Sequence, residues 1–290
     1  MKTALLILSS GSRSIIMSTK LTVGIVGYGF VGGAVAYGFN TPGTVQHIID
    51  PKLGTTIEND LPNDVNIVFV CVPTPMNEDS SINSSIVEET VEKLLERTEH
   101  CPIVIKSTVT PDKLKKMRSL RVVYNPEFLT EKNANEDFIN PKMHVLGGDH
   151  GVTALVEHIY DSHSLCRPCP TYHMTPTEAS LVKYGINSFL ATKVLWFNQF
   201  FDIIADEDAN YNKIITAIST DSRIGNSHTL VPGFDGKRGF GGACFPKDTT
   251  AFSAFAPEFT VLKKVIEENN KYRRGYDKDE RELEQNVKYD

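Results

Sequence analysis

Apolar residues in this chain cluster in short runs that alternate with segments of helical spacing. Each run holds four to seven residues, most are rich in β-branched side chains, and each predicts a buried parallel strand. Helical spacing is clearest from Ser84 to Arg97, between the third and fourth runs. This alternation predicts an α/β fold with a doubly wound parallel sheet. The predicted strands are Leu21–Val26, Val45–Asp50, Asn66–Val72, Pro102–Lys106, Arg121–Tyr124 and Met143–Leu146.

The first run leads directly into Gly27-Tyr-Gly-Phe-Val-Gly32 and then into a helical stretch of small residues. Strand, glycine-rich turn and helix in this order form the dinucleotide fingerprint of a Rossmann-like domain. Asp50 ends the next strand, where a carboxylate binds the ribose of NAD and repels the 2′-phosphate of NADP; Lys52 lies close by. We therefore predict an NAD site, with a chance glycine-rich turn as the alternative. Its candidate contacts are Gly27, Tyr28, Gly29, Phe30, Val31, Gly32, Asp50 and Lys52.

Polar residues follow several of the other predicted strands. Thr74 comes after the third strand, Thr108 after the fourth, and Glu127 and Glu131 after the fifth. Ligands of open α/β sheets bind outside the carboxyl ends of the strands, so these four side chains are predicted to meet at one edge. Taken singly, each could equally be an ordinary loop residue or helix cap.

A long helix is predicted over residues 176–204. Thr175 and Glu178 form a capping-box pattern at its start, and apolar residues occupy more than one of its sides. Such a helix is expected to connect two domains and to pack against a partner subunit. Lys183 and Asn187 are four residues apart and share one face, where they are either solvated or donors to a developing oxyanion.

The segment Gly239-Phe-Gly-Gly-Ala-Cys-Phe-Pro-Lys-Asp248 combines a glycine-rich turn with a cysteine, a lysine and an aspartate. Glycine lets the backbone approach a ligand closely. Beside Lys247, Cys244 is expected to be partly thiolate, which is the nucleophilic form. A loop with a small buried cysteine is the alternative.

Composition narrows the class of protein. The 290 residues carry a net charge of −6, which gives no reason to expect nucleic acid or an anionic membrane as a partner. Five cysteines at irregular spacing argue against a disulfide framework and favour a reducing, cytoplasmic location. Cys166 and Cys169 have CxxC spacing without a second ligand pair, so no metal site is predicted.

Four regions are predicted along the chain. The first 20 residues faintly resemble a signal peptide, but we interpret them as a disordered extension in which Met1 or Met17 is the start. The other three regions are an NAD-binding domain over 21–174, a helical domain with the cysteine loop over 175–271, and a charged, solvated tail over 272–290.

Several of these segments together resemble one enzyme family. GFGGACFPKD, NPEFLTE, DSRIG and the helix EASLVKYGINSFLATKVLWFNQF occur in the order seen in the UDP-glucose/GDP-mannose dehydrogenase family, over about Leu21 to Glu268. The resemblance implies oxidation of a nucleotide sugar at C6 with two NAD, and the cysteine loop favours UDP-glucose, which would give UDP-glucuronate. It also implies that a third, UDP-binding domain of the family is missing from this sequence.

Site roles carried over from the family fall on residues already singled out. The resemblance implies Cys244 as the nucleophile, Lys183 and Asn187 as ligands of the sugar and of oxyanions, and Asp248, Glu127 and Thr108 as groups that position or activate water. It adds Thr74, Thr108, Glu131 and Lys247 to the predicted NAD contacts. The implied substrate contacts are Glu127, Phe128, Leu129, Glu131, Lys183, Asn187, Arg223 and Gly241.

The resemblance also implies a homodimer, formed through the helix over 176–204, in which Arg223 reaches the substrate of the neighbouring subunit. Two other functions remain open from the sequence. One is a single-step hydroxyacid or 6-phosphogluconate-like dehydrogenase, which shares the domain plan and needs no cysteine. The other is a non-catalytic NAD-binding scaffold.

Overall fold

The computed structural model of the protein describes residues 20–130 and 132–290. The predicted N-terminal extension up to residue 19, and the predicted site residue Glu131, lie outside the described residues. The strands are β1 Leu21–Val26, β2 Thr44–Ile49, β3 Ile67–Val70, β4 Ile103–Ile105, β5 Val122–Tyr124, β6 His144–Gly147 and β7 Thr171–Met174. The helices are α1 Phe30–Gly38, α2 Ile57–Asp60, α3 Ser85–Arg97, α4 Pro111–Leu114, α5 Ala134–Ile139, α6 His150–His163, α7 Pro176–Asp206, α8 Tyr211–Ser219, α9 Phe245–Phe255, α10 Thr260–Arg273 and α11 Glu280–Glu284.

All seven strands form one sheet in the order β2-β1-β3-β4-β5-β6-β7. Neighbouring strands are parallel except β5 and β6, which are antiparallel and pair Tyr124 with Gly147. The α/β fold is therefore as predicted, with β6 and β7 running opposite to the other five strands. β7 was not predicted, because it is a half-exposed edge strand of mixed polarity without an apolar run.

Successive residues of the central strands point to opposite faces of the sheet. Val68 and Val70 pack on one face in a cluster that includes Leu94 of α3. Ile67 and Phe69 pack on the other face, in a cluster with residues of α1 and α6. Both faces are covered, which explains why these strands appear in the sequence as continuous apolar runs.

α7 begins at the predicted capping box, where Thr175 accepts the N–H of Glu178 and the Glu178 carboxylate accepts the N–H of Thr175. It packs against β5 and β6 near its start and against α9 and α10 further along. The helix thus connects the sheet to the helical part of the chain. Within the described residues, no helix is both long and apolar enough to cross a membrane.

The end of the chain is not the solvated tail that the sequence predicts. Residues 276–290, here named the C-terminal clasp, contain α11 and fold back onto the preceding helices. Glu282, Val287 and Tyr289 are buried there. The Glu282 carboxylate pairs with the buried Arg273 at 3.0 Å, so a contact within the fold compensates the charge that made this segment appear too polar to pack.

Candidate active site

Cys244 lies in the loop between α8 and α9, directly before the first residue of α9, and is half-buried. Two buried asparagines hold this loop. Asn198 of α7 accepts the N–H of Gly239 at 2.9 Å, and Asn269 of α10 forms hydrogen bonds with both the N–H and the carbonyl of Phe240. Side-chain amides from two helices thus supply the hydrogen-bond partners that the backbone of this irregular segment lacks.

Glycine is required at Gly241 because the guanidinium of Arg273 packs directly on its backbone. A Cβ atom at this position would lie 2.0 Å from Nη2 of Arg273. Gly242, with φ of 77°, has the left-handed backbone conformation that favours glycine. The predicted substrate contact Gly241 is therefore packed against an arginine on one side.

Five charged or amide side chains converge beside Cys244. The ammonium of Lys183 donates to the carbonyl of Glu127 at 2.6 Å and to its carboxylate at 2.9 Å. Asp248 accepts from the amide of Asn187 and from the ammonium of Lys247, each at 2.6 Å. These side chains are buried, and α7 contributes Lys183 and Asn187 from one face, as their spacing predicts.

The thiol of Cys244 is held protonated, contrary to the expectation of a partial thiolate. Burial raises its pKa to about 12, and the carboxylates of Glu127 and Asp248 add to the rise while Lys183 and Lys247 oppose it. Lys247, three residues after Cys244, lowers this pKa too little to give a thiolate, and its ammonium is paired with Asp248. Burial alone would lower the pKa of Lys183, but the carboxylates of Glu127 and Asp248 raise it above its ordinary value.

The predicted dinucleotide loop has the geometry that its glycines imply. Gly27 has φ of 89°, and a Cβ at Gly32 would lie 1.9 Å from the carbonyl oxygen of Gly27. A Cβ at Gly29 would meet nothing within 4 Å, so the backbone there is open to a ligand. Asp50 accepts the N–H of Tyr28 at 2.6 Å, which brings the carboxylate against this loop. An open turn at a helix N-terminus beside a carboxylate fits NAD.

Four other predicted site residues lie in the loops that follow β3, β4 and β5. Thr74 and Thr108 are buried in the loops after β3 and β4. Phe128 is half-buried, and its ring centre lies 5.5 Å from the ammonium of Lys183. The N–H of Leu129 donates to the Glu127 carboxylate at 2.7 Å.

Arg223 is not brought to this cluster. Its side chain is 86% exposed and pairs with Asp221 of the same turn at 2.6 Å. In this chain taken by itself, Arg223 is a surface side chain.

Sequence reasoning missed a buried polar network below the cluster. The ammonium of Lys106 donates to Oδ1 of Asn125 at 3.0 Å, the Tyr160 hydroxyl donates to the same oxygen at 2.8 Å, and the Asn125 amide donates to Val145. Burial lowers the pKa of Lys106 to about 8. Lys106 ends the fourth predicted strand and Asn125 precedes Pro126, so both could have been noted as polar residues at strand ends. The ionisable groups that act on Lys106 are Cys71, Glu127, Cys166, Lys183 and His144.

Family models match both halves of the chain. The NAD-binding domain of the UDP-glucose/GDP-mannose dehydrogenase family matches residues 45–164, and the central domain of that family matches residues 177–272. The chain belongs to this family. It contains the two domains of these models, and the first of them is by description an NAD-binding domain.

Curated relatives of this family are about one third identical to the chain. The UDP-glucose 6-dehydrogenase TuaD of Bacillus subtilis is 30% identical over 248 residues, which cover 79% of this chain and 51% of the relative. The UDP-glucose 6-dehydrogenase of Rickettsia typhi is 34% identical over 239 residues, which cover 77% and 53%. The chain thus spans about half the length of the curated relatives it matches.

Solved structures of other dehydrogenases share its fold. A UDP-glucose dehydrogenase from Pyrobaculum islandicum superposes with a TM-score of 0.73 at 26% identity, over 90% of this chain and 70% of that one. The 3-hydroxyisobutyrate dehydrogenase of Mycobacterium tuberculosis superposes with a TM-score of 0.67 at 16% identity, over 85% and 91%, and is a likeness of fold alone.

Proposed function

We propose that this protein oxidises a nucleotide sugar at C6 with NAD, most specifically UDP-glucose to UDP-glucuronate. The observation that carries the proposal is the joint placement of Cys244 with Lys183, Asn187, Asp248 and Glu127 at the seam between sheet and helices. A single-step alcohol dehydrogenase has no use for a cysteine in this position. A non-catalytic scaffold has no use for four buried polar groups around it.

NAD, held by the Gly27–Gly32 loop with Asp50, Lys52, Thr74 and Lys247, would supply the hydride acceptor for both oxidations. The substrate alcohol first loses a hydride and a proton and becomes an aldehyde. The sulfur of Cys244 then adds to the carbonyl carbon as its proton passes to a neighbouring carboxylate, and a thiohemiacetal forms. The Lys183 ammonium and the Asn187 amide face the oxygen that becomes negative in this step.

The thiohemiacetal carries a hydrogen on carbon and can lose a second hydride to give a thioester. A water molecule, deprotonated by Glu127 or Asp248 and held near Thr108, adds to the thioester and expels the sulfur. In total the alcohol and a water give a carboxylate, two hydrides and three protons. Because the pKa of the half-buried Cys244 thiol is raised to about 12, its proton must leave as the C–S bond forms, and an adjacent carboxylate accepts it.

A homodimer through α7 is part of the proposal. Phe189, Trp196 and Ile203 lie seven residues apart along α7 and are 69%, 53% and 60% exposed. A heptad stripe of large apolar side chains is typical of a helix that packs on a partner helix. In such a dimer Arg223 would reach the substrate in the neighbouring subunit.

The stoichiometry of the reaction tests the proposal. Purified protein is incubated with UDP-glucose and NAD, and the NADH formed is divided by the sugar consumed. Two sequential oxidations give a ratio of about two, whereas a single-step dehydrogenase gives about one. Absence of turnover over a panel of nucleotide sugars, with NAD binding retained, would overturn the proposal in favour of a scaffold.

A further inference from the structure

A buried carboxylate, that of Glu282, connects the C-terminal clasp to the loop that carries Cys244. Glu282 has no exposed surface. Its Oε1 atom accepts the N–H of Gly242 at 3.0 Å, the guanidinium of Arg273 at 3.0 Å and the hydroxyl of Tyr289 at 2.5 Å. Gly242 is two residues before Cys244, so the contact lies next to the reacting sulfur in the chain.

The clasp also contacts two of the segments that carry predicted NAD contacts. The N–H of Met76, in the loop that contains Thr74, donates to the carbonyl of Gln285 at 3.1 Å, and the amide of Asn286 donates back to the carbonyl of Met76 at 3.2 Å. The guanidinium of Arg281 lies 4.7 Å from the ring centre of Phe30, the first residue of α1. One short segment thus connects the cysteine loop to two segments that carry predicted NAD contacts.

The contact at Glu282 is costly to break. Burial by itself raises the pKa of Glu282, but donation from Tyr289, from backbone N–H groups and from Arg273 lowers it below its ordinary value, so the carboxylate is ionised. Without this acceptor, the N–H of Gly242 and one edge of the Arg273 guanidinium would be left without a partner in the interior. Asn198 and Asn269 hold the loop at Gly239 and Phe240, so loss of the Gly242 contact would loosen it in the part nearest Cys244.

We propose that Glu282 is a positioning residue, which fixes the Gly239–Cys244 loop and thereby the distance of the Cys244 sulfur from the carbonyl it attacks. The inference rests on the function proposed above for Cys244. Glu282 touches no reacting atom itself and acts through Gly242 and Arg273. Loss of this alignment lowers the rate of the chemical step more than it weakens binding, because reactivity falls steeply with small displacements of the nucleophile.

The test compares Glu282→Gln with Glu284→Gln, an exposed glutamate on the same helix. The first change keeps the size of the side chain and one acceptor oxygen, but it removes the charge that faces Arg273 and replaces the other acceptor, which binds the N–H of Asp279, by an NH2 donor. We expect kcat for NADH formation to fall about tenfold in Glu282→Gln, with KM for NAD and for the sugar nucleotide changed less than about twofold. Glu284→Gln should match the wild type in both.

A second readout does not need turnover. Iodoacetamide labelling of Cys244, followed by mass spectrometry of the peptide that contains it, reports how well the loop is fixed. Labelling is expected to be several-fold faster in Glu282→Gln and unchanged in Glu284→Gln. Tyr289→Phe, which removes one donor to the same oxygen, should give an intermediate rate and serves where Glu282→Gln does not fold.

The possible outcomes separate the two proposals. Unchanged kcat and unchanged labelling in Glu282→Gln and Tyr289→Phe would show that the clasp does not position the loop. A rise in kcat would also overturn the inference, since it would make the clasp an obstacle to the substrate. If the wild type oxidises no nucleotide sugar, the proposed function fails by itself, and the labelling rates alone decide whether Glu282 fixes the cysteine loop.

Discussion

Lys183 of α7 and Glu127 of the loop after β5 form a buried ion pair across the seam between the sheet and the helical part of the chain. The ammonium lies 2.9 Å from the carboxylate and 2.6 Å from the carbonyl of the same residue. One lysine thus fixes both the backbone and the side chain of Glu127. The carboxylate of Glu127 in turn adds to the effect of burial and raises the pKa of Cys244 further.

Replacement of Glu127 should make Cys244 more reactive as a thiol. Glu127→Gln removes a negative charge that raises the pKa of Cys244 and leaves the Lys183 ammonium, which lowers it. Each unit by which the pKa falls gives about tenfold more thiolate at a pH well below the pKa. Iodoacetamide labelling of the Cys244 peptide between pH 7 and 10 measures the change. Glu136→Gln, at an exposed position on α5, is the matched control, and a slower reaction in Glu127→Gln would contradict the assignment.

Asp248 should be essential to the stability of the site. It is 1% exposed and accepts from both Asn187 and Lys247, so Asp248→Asn leaves a buried ammonium without a counter-charge. Breaking one partner of a buried pair costs about 3–5 kcal/mol in the free energy of unfolding. Urea denaturation measures this. Glu267→Gln, which breaks an exposed pair with Lys264, should leave the denaturation midpoint unchanged, and equal effects of the two variants would refute the prediction.

The buried Lys106 predicts a stability that depends on alkaline pH. Burial lowers its pKa from 10.5 to about 8, so between these values the unfolded chain binds more protons than the folded chain. Stability therefore rises with pH across this window, and below it the buried charge costs up to about 3 kcal/mol. Lys106→Met should have a higher free energy of unfolding than the wild type at pH 7. This difference should be smaller by a few kcal/mol at pH 10.

The comparison of two pH values isolates the proton from other effects of that substitution. Loss of the hydrogen bond to Asn125 is common to both measurements and cancels in the difference, and Tyr160 still donates to the same oxygen. Lys116→Met, an exposed lysine of the same part of the chain, should give the same difference from wild type at both pH values. An equal effect of Lys106→Met at pH 7 and pH 10 would rule out a buried ammonium.

Much of the fold could be predicted because its signals are local. The turn at Gly27 requires positive φ, the capping box lies within four residues of Thr175, and buried parallel strands give apolar runs that need no partner to be recognised. The shared face of Lys183 and Asn187 follows in the same way from helical spacing, which holds wherever the helix packs.

What could not be predicted depends on contacts between distant residues. Asn198 binds a backbone N–H 41 residues away, and Glu282 is buried because Arg273 and Gly242 meet it. No local pattern marks a charged segment as buried when its partner lies on another element. The predicted partial thiolate of Cys244 was wrong for the same reason, because burial and Glu127 raise the pKa of the thiol more than Lys247 lowers it.

The exposed stripe of α7 predicts the state of association. Trp196→Lys with Ile203→Lys places two charges in the proposed dimer face, and the variant should be monomeric by light scattering after size-exclusion chromatography. Leu120→Lys, at a site that is 74% exposed and outside α7, is the control and should leave the mass unchanged. An unchanged mass of the double variant would place the dimer face elsewhere.

Mixing two inactive variants tests whether Arg223 acts in the neighbouring subunit. Cys244→Ala and Arg223→Ala should each be inactive alone. In a mixed dimer, the Arg223→Ala subunit keeps Cys244 and receives Arg223 from its partner, so one of the two sites is complete. Random reassociation of equal amounts should restore about a quarter of wild-type activity, because half of the dimers are mixed and each has one competent site. Residual activity that does not rise on mixing would mean that Arg223 acts within its own chain or not at all.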